Sequence, residues 1–416
     1  MIPTIKQCRI CGNSELLPIM NLGNQALTGV FPRTQTEAIH SFPLELVKCS
    51  ETPKGHTCGL VQLRHSGDLS EMYGMNYGYL SSLNRSMVSH LHAKVGRILE
   101  QVKLSSGDLV IDIGSNDSTT LQAFPKDLTL VGVDPTGVKF KHLYPSHIQL
   151  IPDFFSAKAV QSVLGSKKAK VITSFSMFYD LENPLAFVEE VSSCLDDNGI
   201  WVMEQSYLPT MLAKISYDTI CHEHLEYYAL RQIQWLADKV GLCIVDVELN
   251  DVNGGSFSLT LQKKTNAQST HAPIVSKLLA QEHELGLHTM KPFVKFASQT
   301  AAHRGELLTF LENAHKKGEK IIGYGASTKG NVLLQYCGLS PKELPAIAEV
   351  NPDKFGRFTP GTLIPIISEA DAKAMKPDYF LVLPWHFREN IIKREQDWIK
   401  SGGKLLFPLP EVSVVS

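Results

Sequence analysis

Features that mark membrane or secreted proteins are missing from this sequence of 416 residues. No stretch approaches the ~20 consecutive apolar residues that a helix needs to cross a bilayer. Residues 1–7 do not contain the apolar core of a signal peptide. The sequence therefore predicts a cytoplasmic protein that does not associate with membranes.

The chain also lacks an excess of charge of either sign. It has 40 Lys and Arg residues against 42 Asp and Glu residues, a formal net charge of -2, and no basic block. Because binding to a polyanion needs a concentrated basic patch, we expect no nucleic-acid partner. A small-molecule substrate is favoured, and for the oligomeric state a monomer is slightly favoured.

Cysteine is sparse outside the N-terminal region, where four of the 8 cysteines lie within the first 60 residues. In a reducing compartment such clustering indicates a metal site more often than disulfides. Cys8, Cys11, Cys49 and Cys58 would supply the four thiolates of a closed tetrahedral zinc site. Such a site has no open coordination position for catalysis. We therefore expect structural zinc. Because Cys49 and Cys58 are unusually far apart, His56 is an alternative ligand, and free core cysteines are the alternative to metal.

Low-complexity segments and short-period repeats are absent, and the length predicts roughly two to four packed domains. Residues 1–69 read as a small, turn-rich module. From residue 109 onwards, strand-like and helix-like runs alternate, which predicts a parallel sheet covered by helices. Two strands on either side of Asn253-Gly254-Gly255 are expected to close this sheet as an antiparallel pair, an ending typical of one class of methyltransferases.

A second unit is expected after a helical stretch at residues 274–316, which Pro292 is predicted to break or kink. Residues 320–331 read as strand, turn and helix, and further strand-like runs follow. The fold class is therefore expected to be α/β, with a small zinc-binding module, a class I methyltransferase Rossmann-like domain and a second Rossmann-like C-terminal domain. The expected domain boundaries are 1–69, 70–265 and 266–416.

The first strong strand carries an acidic residue, Asp112, and leads into a glycine turn that lets a ligand approach the backbone at a helix N-terminus. The next strand ends at Asp134, where doubly wound sheets hold nucleoside hydroxyls. No G-x-G-x-x-G occurs here, which favours S-adenosylmethionine over a dinucleotide. The candidates for this cofactor site are Asp112, Gly114, Asn116, Asp117, Asp134, Asp153 and Phe154. The alternative is that Asp112 and Asp134 only cap strands.

The turn in the second unit has small residues, hydroxyls and a lysine where strand passes into helix, which fits a phosphate or diphosphate. A later strand is followed by an aromatic ring, an imidazole and a guanidinium, which suits stacking on a sugar and pairing with phosphate. The substrate-binding candidates are Asn253, Gly325, Ser327, Lys329, Asn331, Trp385, His386 and Arg388. A dehydrogenase-type Rossmann turn and a surface position of the Trp385 group are the alternatives.

Proton-transfer side chains are concentrated between these two turns, in residues 217–228. Histidine titrates near neutral pH, a carboxylate can orient it, and a phenol can donate to an oxyanion, so the segment suits the formation of an enolate. It lacks the His-Glu-x-x-His spacing that brings two imidazoles together on one helical face. A metal pair or a solvated polar loop is the alternative.

Together these stretches resemble the sugar C-methyltransferases that act on nucleotide-linked keto-deoxysugars, and the similarity covers nearly the whole chain. The matching stretches are Cys8-x2-Cys11 and residues 58–63, 76–82, 112–117, 218–224, 253–256 and 323–331. The resemblance implies an N-terminal zinc-binding module, a central S-adenosylmethionine domain and a C-terminal Rossmann-like domain that holds the nucleotide sugar.

The resemblance also implies roles within the candidate catalytic group, which is His222, Glu223, His224, Tyr77, Tyr79 and Tyr179. His224 is the implied base, Glu223 its neighbour, and Tyr77 or Tyr79 a catalytic hydrogen bonder. The chain departs from the family pattern where Cys221 replaces a frequent tyrosine, and Tyr179 lies where a histidine is frequent.

The substrate that follows from this resemblance is a TDP- or GDP-linked 4-keto-6-deoxyhexose, whose ketone acidifies the hydrogen on C3. His224 is expected to remove that proton, a tyrosine to hydrogen-bond the oxyanion, and the enolate carbon to take the methyl group of S-adenosylmethionine. An NAD-dependent nucleotide-sugar oxidoreductase, and a zinc-ribbon binding protein with a degenerate methyltransferase core, are the alternative functions.

Overall fold

The structure is a computed structural model that describes residues 3–51, 57–67, 79–265 and 273–416. Its strands form three sheets, of four, seven and six strands. None of the described helices is long and apolar enough to span a membrane. The α/β fold class expected from the sequence is confirmed.

The four-stranded sheet belongs mainly to the N-terminal region, where the sequence predicted turns rather than strands. Its antiparallel strands, in spatial order, are β1 (Leu16–Ala26), β2 (Ser41–Cys49), β3 (Val61–Leu63) and β9 (Glu226–Tyr227). The last strand comes from the middle of the chain and follows the proton-transfer segment. The N-terminal sheet therefore fixes one end of that segment.

The seven-stranded sheet forms the centre of the molecule. In chain order its seven strands are β4 (Leu109–Ile113), β5 (Thr129–Val133), β6 (Ile148–Ile151), β7 (Ala169–Phe175), β8 (Leu195–Ser206), β10 (Leu242–Asn250) and β11 (Ser256–Lys263). The spatial order is β10-β11-β8-β7-β4-β5-β6, and the first five strands in the chain run parallel. As predicted, the last two are antiparallel. The strand order reverses beside β4, which is where ligands bind in such sheets.

Helices cover both faces of this sheet, and its strands are therefore buried on both sides. They are α1 (Arg85–Gln101), α2 (Gly137–Phe140), α3 (Ala157–Leu164), α4 (Pro184–Cys194), α5 (Leu208–Ala213) and α6 (Leu230–Lys239). The side chain of Asn84 caps α1 by accepting from the backbone N–H of Ser86. This cap fixes the start of the helix next to the turn that follows β4.

Two helices then lead to the third sheet, α7 (Pro273–Glu284) and α8 (Lys291–Lys316). The predicted break in this stretch is present, but Pro292 does not cause it. The break lies before α8, where Gly286 has a φ of 74°. Pro292 is in the first turn of α8, where its missing N–H costs no helical hydrogen bond.

The six-stranded sheet has the spatial order β14-β13-β12-β15-β16-β17, in which all strands but the last run parallel. The strands are β12 (Ile321–Tyr324), β13 (Ile347–Glu349), β14 (Ile366–Ser368), β15 (Tyr379–Val382), β16 (Lys404–Phe407) and β17 (Ser413–Val415). The helices are α9 (Thr328–Cys337), α10 (Glu369–Ala374), α11 (Arg388–Arg394) and α12 (Gln396–Lys400). Here the order reverses beside β12, so both parallel sheets have a binding edge.

Candidate active site

A cavity of about 1060 Å³ lies where the binding edges of the two parallel sheets meet. The turn after β4 and the turn after β12 both line it, and so do His224 and Glu223 of the proton-transfer segment. A loop of the N-terminal region supplies a further wall through Gly29, Phe31 and Arg33. Three parts of the chain therefore converge on one space.

The turn after β4 has the backbone of a ligand cradle. Gly114 and Asn116 lie in the left-handed region, with φ of 73° and 48°. The backbone N–H of Asn116 donates to Oδ2 of Asp134 at 2.7 Å, which ties the ends of two adjacent strands together. Both residues and Asp134 line the cavity, as the sequence predicted for a cofactor site.

Asp112 is the buried carboxyl group of this cradle. Oδ1 accepts a hydrogen bond from the Thr173 hydroxyl at 2.6 Å. Burial raises the pKa of Asp112 to about 7, and the negative charges of Asp134 and Asp117 add to the effect. A cationic ligand relieves this repulsion, so the site suits the sulfonium and ammonium groups of S-adenosylmethionine.

Of the two further cofactor candidates, Phe154 lines the cavity and Asp153 does not. Phe154 is half exposed and lines the cavity, where its ring is available to an adenine. Asp153 is not among the lining residues, and its Oδ1 accepts from the backbone N–H of Phe154. Asp153 therefore orients the Phe154 backbone from outside the cavity.

The segment before α1 lies over the turn after β4. Asn116 Nδ2 donates to the Tyr79 carbonyl at 3.0 Å, and Asp117 Oδ2 accepts from the Ser82 N–H at 2.8 Å. Tyr79 lines the cavity, whereas Asp117 holds the segment in place and does not. Tyr77 lies outside the described residues.

His224 faces the cavity with a defined tautomer. Its Nδ1–H donates to the Thr219 carbonyl at 3.0 Å, which leaves Nε2 with a free lone pair. Burial and the nearby charge of Lys329 lower the pKa of His224 to about 3, so the ring is neutral at physiological pH. Tyr179 packs against it, with 4.1 Å between the ring centroids, and also lines the cavity.

Glu223 and His222 point to different sides of the segment. Glu223 lines the cavity, accepts from the Thr28 hydroxyl at 3.2 Å, and has a pKa raised by burial. His222 does not line the cavity. Its ring is completely buried against Phe42, and Nε2–H donates to the Phe42 carbonyl at 3.2 Å. The structure therefore places His222 in the core, because residues 222 and 223 form a turn, closed by the His224 N–H donating to the Cys221 carbonyl at 3.1 Å, that directs neighbouring side chains to different sides.

The C-terminal turn brings most of its candidates to the cavity. Gly325 has a φ of 83°, and a Cβ there would come within 2.7 Å of Pro384. Ser327 caps α9 by accepting from the Gly330 N–H at 3.0 Å, and Lys329 lies in the first turn of the helix. All of these candidates except Asn331 line the cavity.

Asn331 faces away from the cavity. It is completely buried, and its Nδ2 donates to the Thr28 carbonyl at 2.7 Å. The residue therefore docks the N-terminal loop onto α9, and the structure does not bring it to the substrate space. Helical periodicity explains the difference, since Asn331 is two residues beyond Lys329 and lies on another face.

Asn253 and the Trp385 group lie on the two sides of one loop. Asn253 lines the cavity with a φ of 55°, and its carbonyl accepts from Lys329 Nζ at 2.8 Å. Trp385 and His386 pack behind Gly254, within 4 Å of where its Cβ would be. The three predicted sugar contacts Trp385, His386 and Arg388 are absent from the lining, so the structure does not bring them to the substrate space.

These aromatic and charged groups have partners within the protein. Trp385 Nε1 donates to Asp218 Oδ2 at 2.8 Å. Arg388 lies over the Phe407 ring and donates to the Ser413 hydroxyl at 3.0 Å. The 3-10 turn Trp385–Phe387 after β15, and the helix that begins at Arg388, direct these side chains onto partners in the protein, which was not visible from their position after a strand.

Several lining residues were missed at the sequence level. Glu349 is the clearest of these missed residues, because it lies at the end of β13 just as Asp134 lies directly after β5. Its Oε2 accepts from the Ala326 N–H at 2.9 Å. The signal was present, since a carboxylate follows a predicted strand in both units. The cationic lining residues that were also missed are Arg33, Arg85, Lys139, Lys354, Arg357 and Arg394. They are dispersed along the chain, so no local motif reveals them.

The four cysteines form a separate cluster away from the cavity. Their sulfur atoms all lie within 4.8 Å of one another, with 3.4 Å between Cys8 and Cys58 and 3.5 Å between Cys11 and Cys49. Zn–S bonds of about 2.3 Å in a tetrahedron need sulfur separations of about 3.8 Å, so the donor set fits zinc. Cys49 and Cys58 meet despite their spacing because β2 and β3 pair, with the Cys49 N–H donating to the Leu60 carbonyl. His56 lies outside the described residues.

Comparisons with known proteins agree with this architecture. Family models match in three parts: a zinc binding domain at residues 8–73, a methyltransferase domain at 87–247 and a C-methyltransferase C-terminal domain at 251–410. The C-methyltransferase NovU of Streptomyces niveus is 30% identical over 420 residues, which cover 100% of this chain and 98% of NovU.

Solved structures are less similar. The mitomycin 7-O-methyltransferase MmcR is 14% identical with a TM-score of 0.34, over 44% of this chain and 56% of MmcR. The plantazolicin methyltransferase BpumL is 11% identical with a TM-score of 0.34, over 42% of this chain and 84% of BpumL. The assignment rests on the family models and on NovU. The chain belongs to the family of S-adenosylmethionine-dependent C-methyltransferases.

Proposed function

We propose that this C-methyltransferase methylates C3 of a nucleoside-diphosphate 4-keto-6-deoxyhexose through an enolate, in the biosynthesis of a branched-chain deoxysugar. The observation that carries the proposal is the position of His224, whose free Nε2 faces a cavity shared by two nucleotide-type binding edges. A base between a methyl donor and a sugar nucleotide suits carbon methylation next to a ketone.

His224 acts as the base in this proposal. Its Nε2 accepts the C3 proton while the Nδ1–H bond to the Thr219 carbonyl holds the ring in place. The imidazolium and the enolate form together, so their opposite charges offset each other inside the cavity. Tyr179, packed on the imidazole, restricts the ring to one orientation.

Asp112, Asp134 and the backbone of the turn after β4 are the groups that hold S-adenosylmethionine in this proposal. When bound, the cofactor supplies the electrophilic methyl group that the enolate carbon takes. The Tyr79 segment, tied to Asn116 and Asp117, closes this part of the cavity against water.

The nucleoside diphosphate is assigned to the edge of the C-terminal sheet. The first turn of α9 presents backbone N–H groups there, and Arg33, Arg357 and Arg394 line the same space. Helix N-termini and guanidinium groups both favour phosphate oxygens. Glu349 lies at the strand end from which a carboxylate reaches ribose hydroxyls. The cavity volume of about 1060 Å³ exceeds the roughly 300–1,000 Å³ of a single drug-sized site, which supports the assignment of two ligands to it.

We also propose that the four cysteines hold zinc and that the ion supports the fold of the N-terminal module. A four-thiolate site has no open coordination position, so the metal takes no part in methyl transfer.

A substrate panel tests the proposed function directly. The enzyme is incubated with methyl-labelled S-adenosylmethionine and with TDP- and GDP-linked 4-keto-6-deoxy sugars, and the products are analysed by mass spectrometry and NMR. We expect one labelled methyl group on a ring carbon next to the ketone. A labelled methyl on oxygen, or no labelled sugar from any panel member, contradicts the proposal.

A further inference from the structure

Enolate formation needs a group that offsets the negative charge developing on the ketone oxygen, in addition to a base. Near His224, the cavity is lined by Tyr179, Cys221, Glu223 and Lys329. Burial raises the pKa of the Cys221 thiol, which therefore stays neutral and is a weak hydrogen-bond donor. Glu223 bears negative charge when it ionises, so it opposes an oxyanion. Lys329 is the cation among these groups.

The position of Lys329 is fixed by the fold. It follows the N-cap Ser327 in the first turn of α9, and the helix packs closely on β15, because a Cβ on Gly330 would lie 2.7 Å from the Cβ of Leu383. The Nζ atom donates to the Asn253 carbonyl at 2.8 Å, in the loop between β10 and β11. An ammonium group has three N–H donors, so two are left after this bond.

Lys329 has an acidic neighbour in the completely buried Asp218. Burial lowers the pKa of Lys329, and the negative charge of Asp218 opposes that shift. Trp385 Nε1 donates to Oδ2 of Asp218, whereas Oδ1 has no hydrogen-bond partner among the described residues. Lys329, anchored at the Asn253 carbonyl, lines the same cavity as His224.

The effect of this cation already reaches His224, because the positive charge of Lys329 contributes to the lowered pKa of the imidazole. A charge that disfavours imidazolium by electrostatics must favour an enolate oxygen in the same space. The titratable and charged groups that surround His224 are Lys329, Glu223, Cys221, Tyr179, Tyr227 and Asp180.

We infer that Lys329 is a catalytic residue, which stabilises the enolate oxygen through its free ammonium N–H groups while His224 removes the proton. This inference rests on the proposed function and changes the expected role of Lys329 from phosphate binding to charge stabilisation. In the step, the C3 proton moves to His224 Nε2, the C–H electron pair forms the C=C bond, and the carbonyl π pair moves onto the oxygen that Lys329 contacts. The enolisation step balances without any further co-reactant.

The test compares Lys329→Gln, which removes the charge, with Lys329→Arg, which keeps it. Lys214→Gln is the matched control, since Lys214 Nζ donates to the Gly254 carbonyl of the same loop at 2.9 Å but does not line the cavity. Turnover is measured by methyl transfer, and enolisation separately by exchange of the C3 hydrogen in D₂O with S-adenosylhomocysteine bound.

We expect Lys329→Gln to lower kcat and the exchange rate by about 10²–10³-fold with a small change in KM, as for loss of an oxyanion donor. Lys329→Arg should retain part of the rate, and Lys214→Gln all of it. A raised KM with unchanged kcat would indicate that Lys329 binds phosphate. Equal losses of kcat in Lys329→Gln and Lys214→Gln would indicate that Lys329 only supports the loop. Either result overturns the inference.

The His224 titration gives a readout that needs no substrate. Removing the neighbouring charge should raise the pKa of His224, seen by NMR of labelled histidine in the Lys329→Gln variant. An unchanged His224 titration overturns the inference. A wild-type enzyme that methylates no keto-sugar contradicts the proposed function instead, so the two failures are distinguishable.

Discussion

The Thr28 hydroxyl donates a hydrogen bond to Oε2 of Glu223 at 3.2 Å, although the two residues are 195 positions apart. Thr28 lies in the loop after β1, and Glu223 is next to His224. The carbonyl of Thr28 also accepts from Asn331 Nδ2. The cysteine-containing module is therefore joined to both the proton-transfer segment and the C-terminal unit, and it forms part of the cavity wall.

Removal of zinc should affect substrate binding as well as stability. Cys8→Ser, or treatment with a chelator, should lower the Tm by at least about 5 °C, because the small sheet loses its metal crosslink. It should also weaken binding of a nucleoside diphosphate, because the Gly29–Arg33 loop lines that site. Thermal unfolding, metal analysis and calorimetric titration measure these effects. Cys243→Ser, at a cysteine outside the cluster, is the control. An unchanged Tm after complete metal removal contradicts the prediction.

Replacing His224 and His222 one at a time should distinguish a residue needed for the reaction from a residue needed for stability. His224→Asn should lower kcat by at least about 10²-fold, since the general base is lost, with nearly unchanged affinity for S-adenosylhomocysteine. His222→Asn should mainly lower stability, by roughly 1–3 kcal/mol, because it disturbs a buried ring and its bond to Phe42. Steady-state kinetics, calorimetry and denaturant unfolding measure the two effects. Near-native turnover in His224→Asn, or loss of kcat in fully folded His222→Asn, contradicts this assignment.

Cofactor affinity should depend on pH through Asp112. Its pKa is raised to about 7 in the folded protein, so the carboxyl group becomes protonated as the pH falls through 7. A cationic ligand prefers the ionised form, so affinity for S-adenosylmethionine should be constant above pH 8 and about tenfold weaker at about pH 6. Calorimetric titration across this range measures the effect. Asp112→Asn should bind more weakly and lose the pH dependence, and a variant that keeps it would assign the titration to another group.

Arg33 should contribute to binding of the nucleotide sugar and not to the chemical step. Its exposed side chain lines the cavity on the N-terminal loop, and a charge-assisted hydrogen bond to phosphate contributes about 1.5–3 kcal/mol. Arg33→Ala should therefore raise KM for the sugar nucleotide by about 10–100-fold while kcat and cofactor affinity stay near wild type. Arg304→Ala, at an exposed arginine of α8 that does not line the cavity, is the control. A loss confined to kcat contradicts this role.

The comparison of sequence and structure shows which signals were reliable. The alternation of elements predicted both parallel sheets and the antiparallel closing pair, because buried strands and amphipathic helices have distinct local patterns. The glycine turns at Gly114 and Gly325, which the sequence singled out, both line the cavity. The strands β1 to β3 were missed, because short strands in a turn-rich module have no clear periodicity.

The positions of single side chains were less predictable. His222, Asn331 and Arg388 have the residue types of a binding site, yet each is directed to a partner inside the protein. Arg33 and Lys354 carry no motif and still line the cavity. The type of a residue shows which chemistry it can perform. The direction of its side chain depends on the local backbone conformation and on the residues that pack around it.

By itself, the order of residues determined the class of each unit, the family resemblance and the set of groups able to move a proton or bind a cation, because these follow from local spacing and side-chain chemistry. Only the folded chain decided that His224 rather than His222 lines the cavity, that Lys329 lines the same cavity, and that a loop of the N-terminal module completes the wall. Those facts depend on contacts between residues hundreds of positions apart, which no local pattern contains.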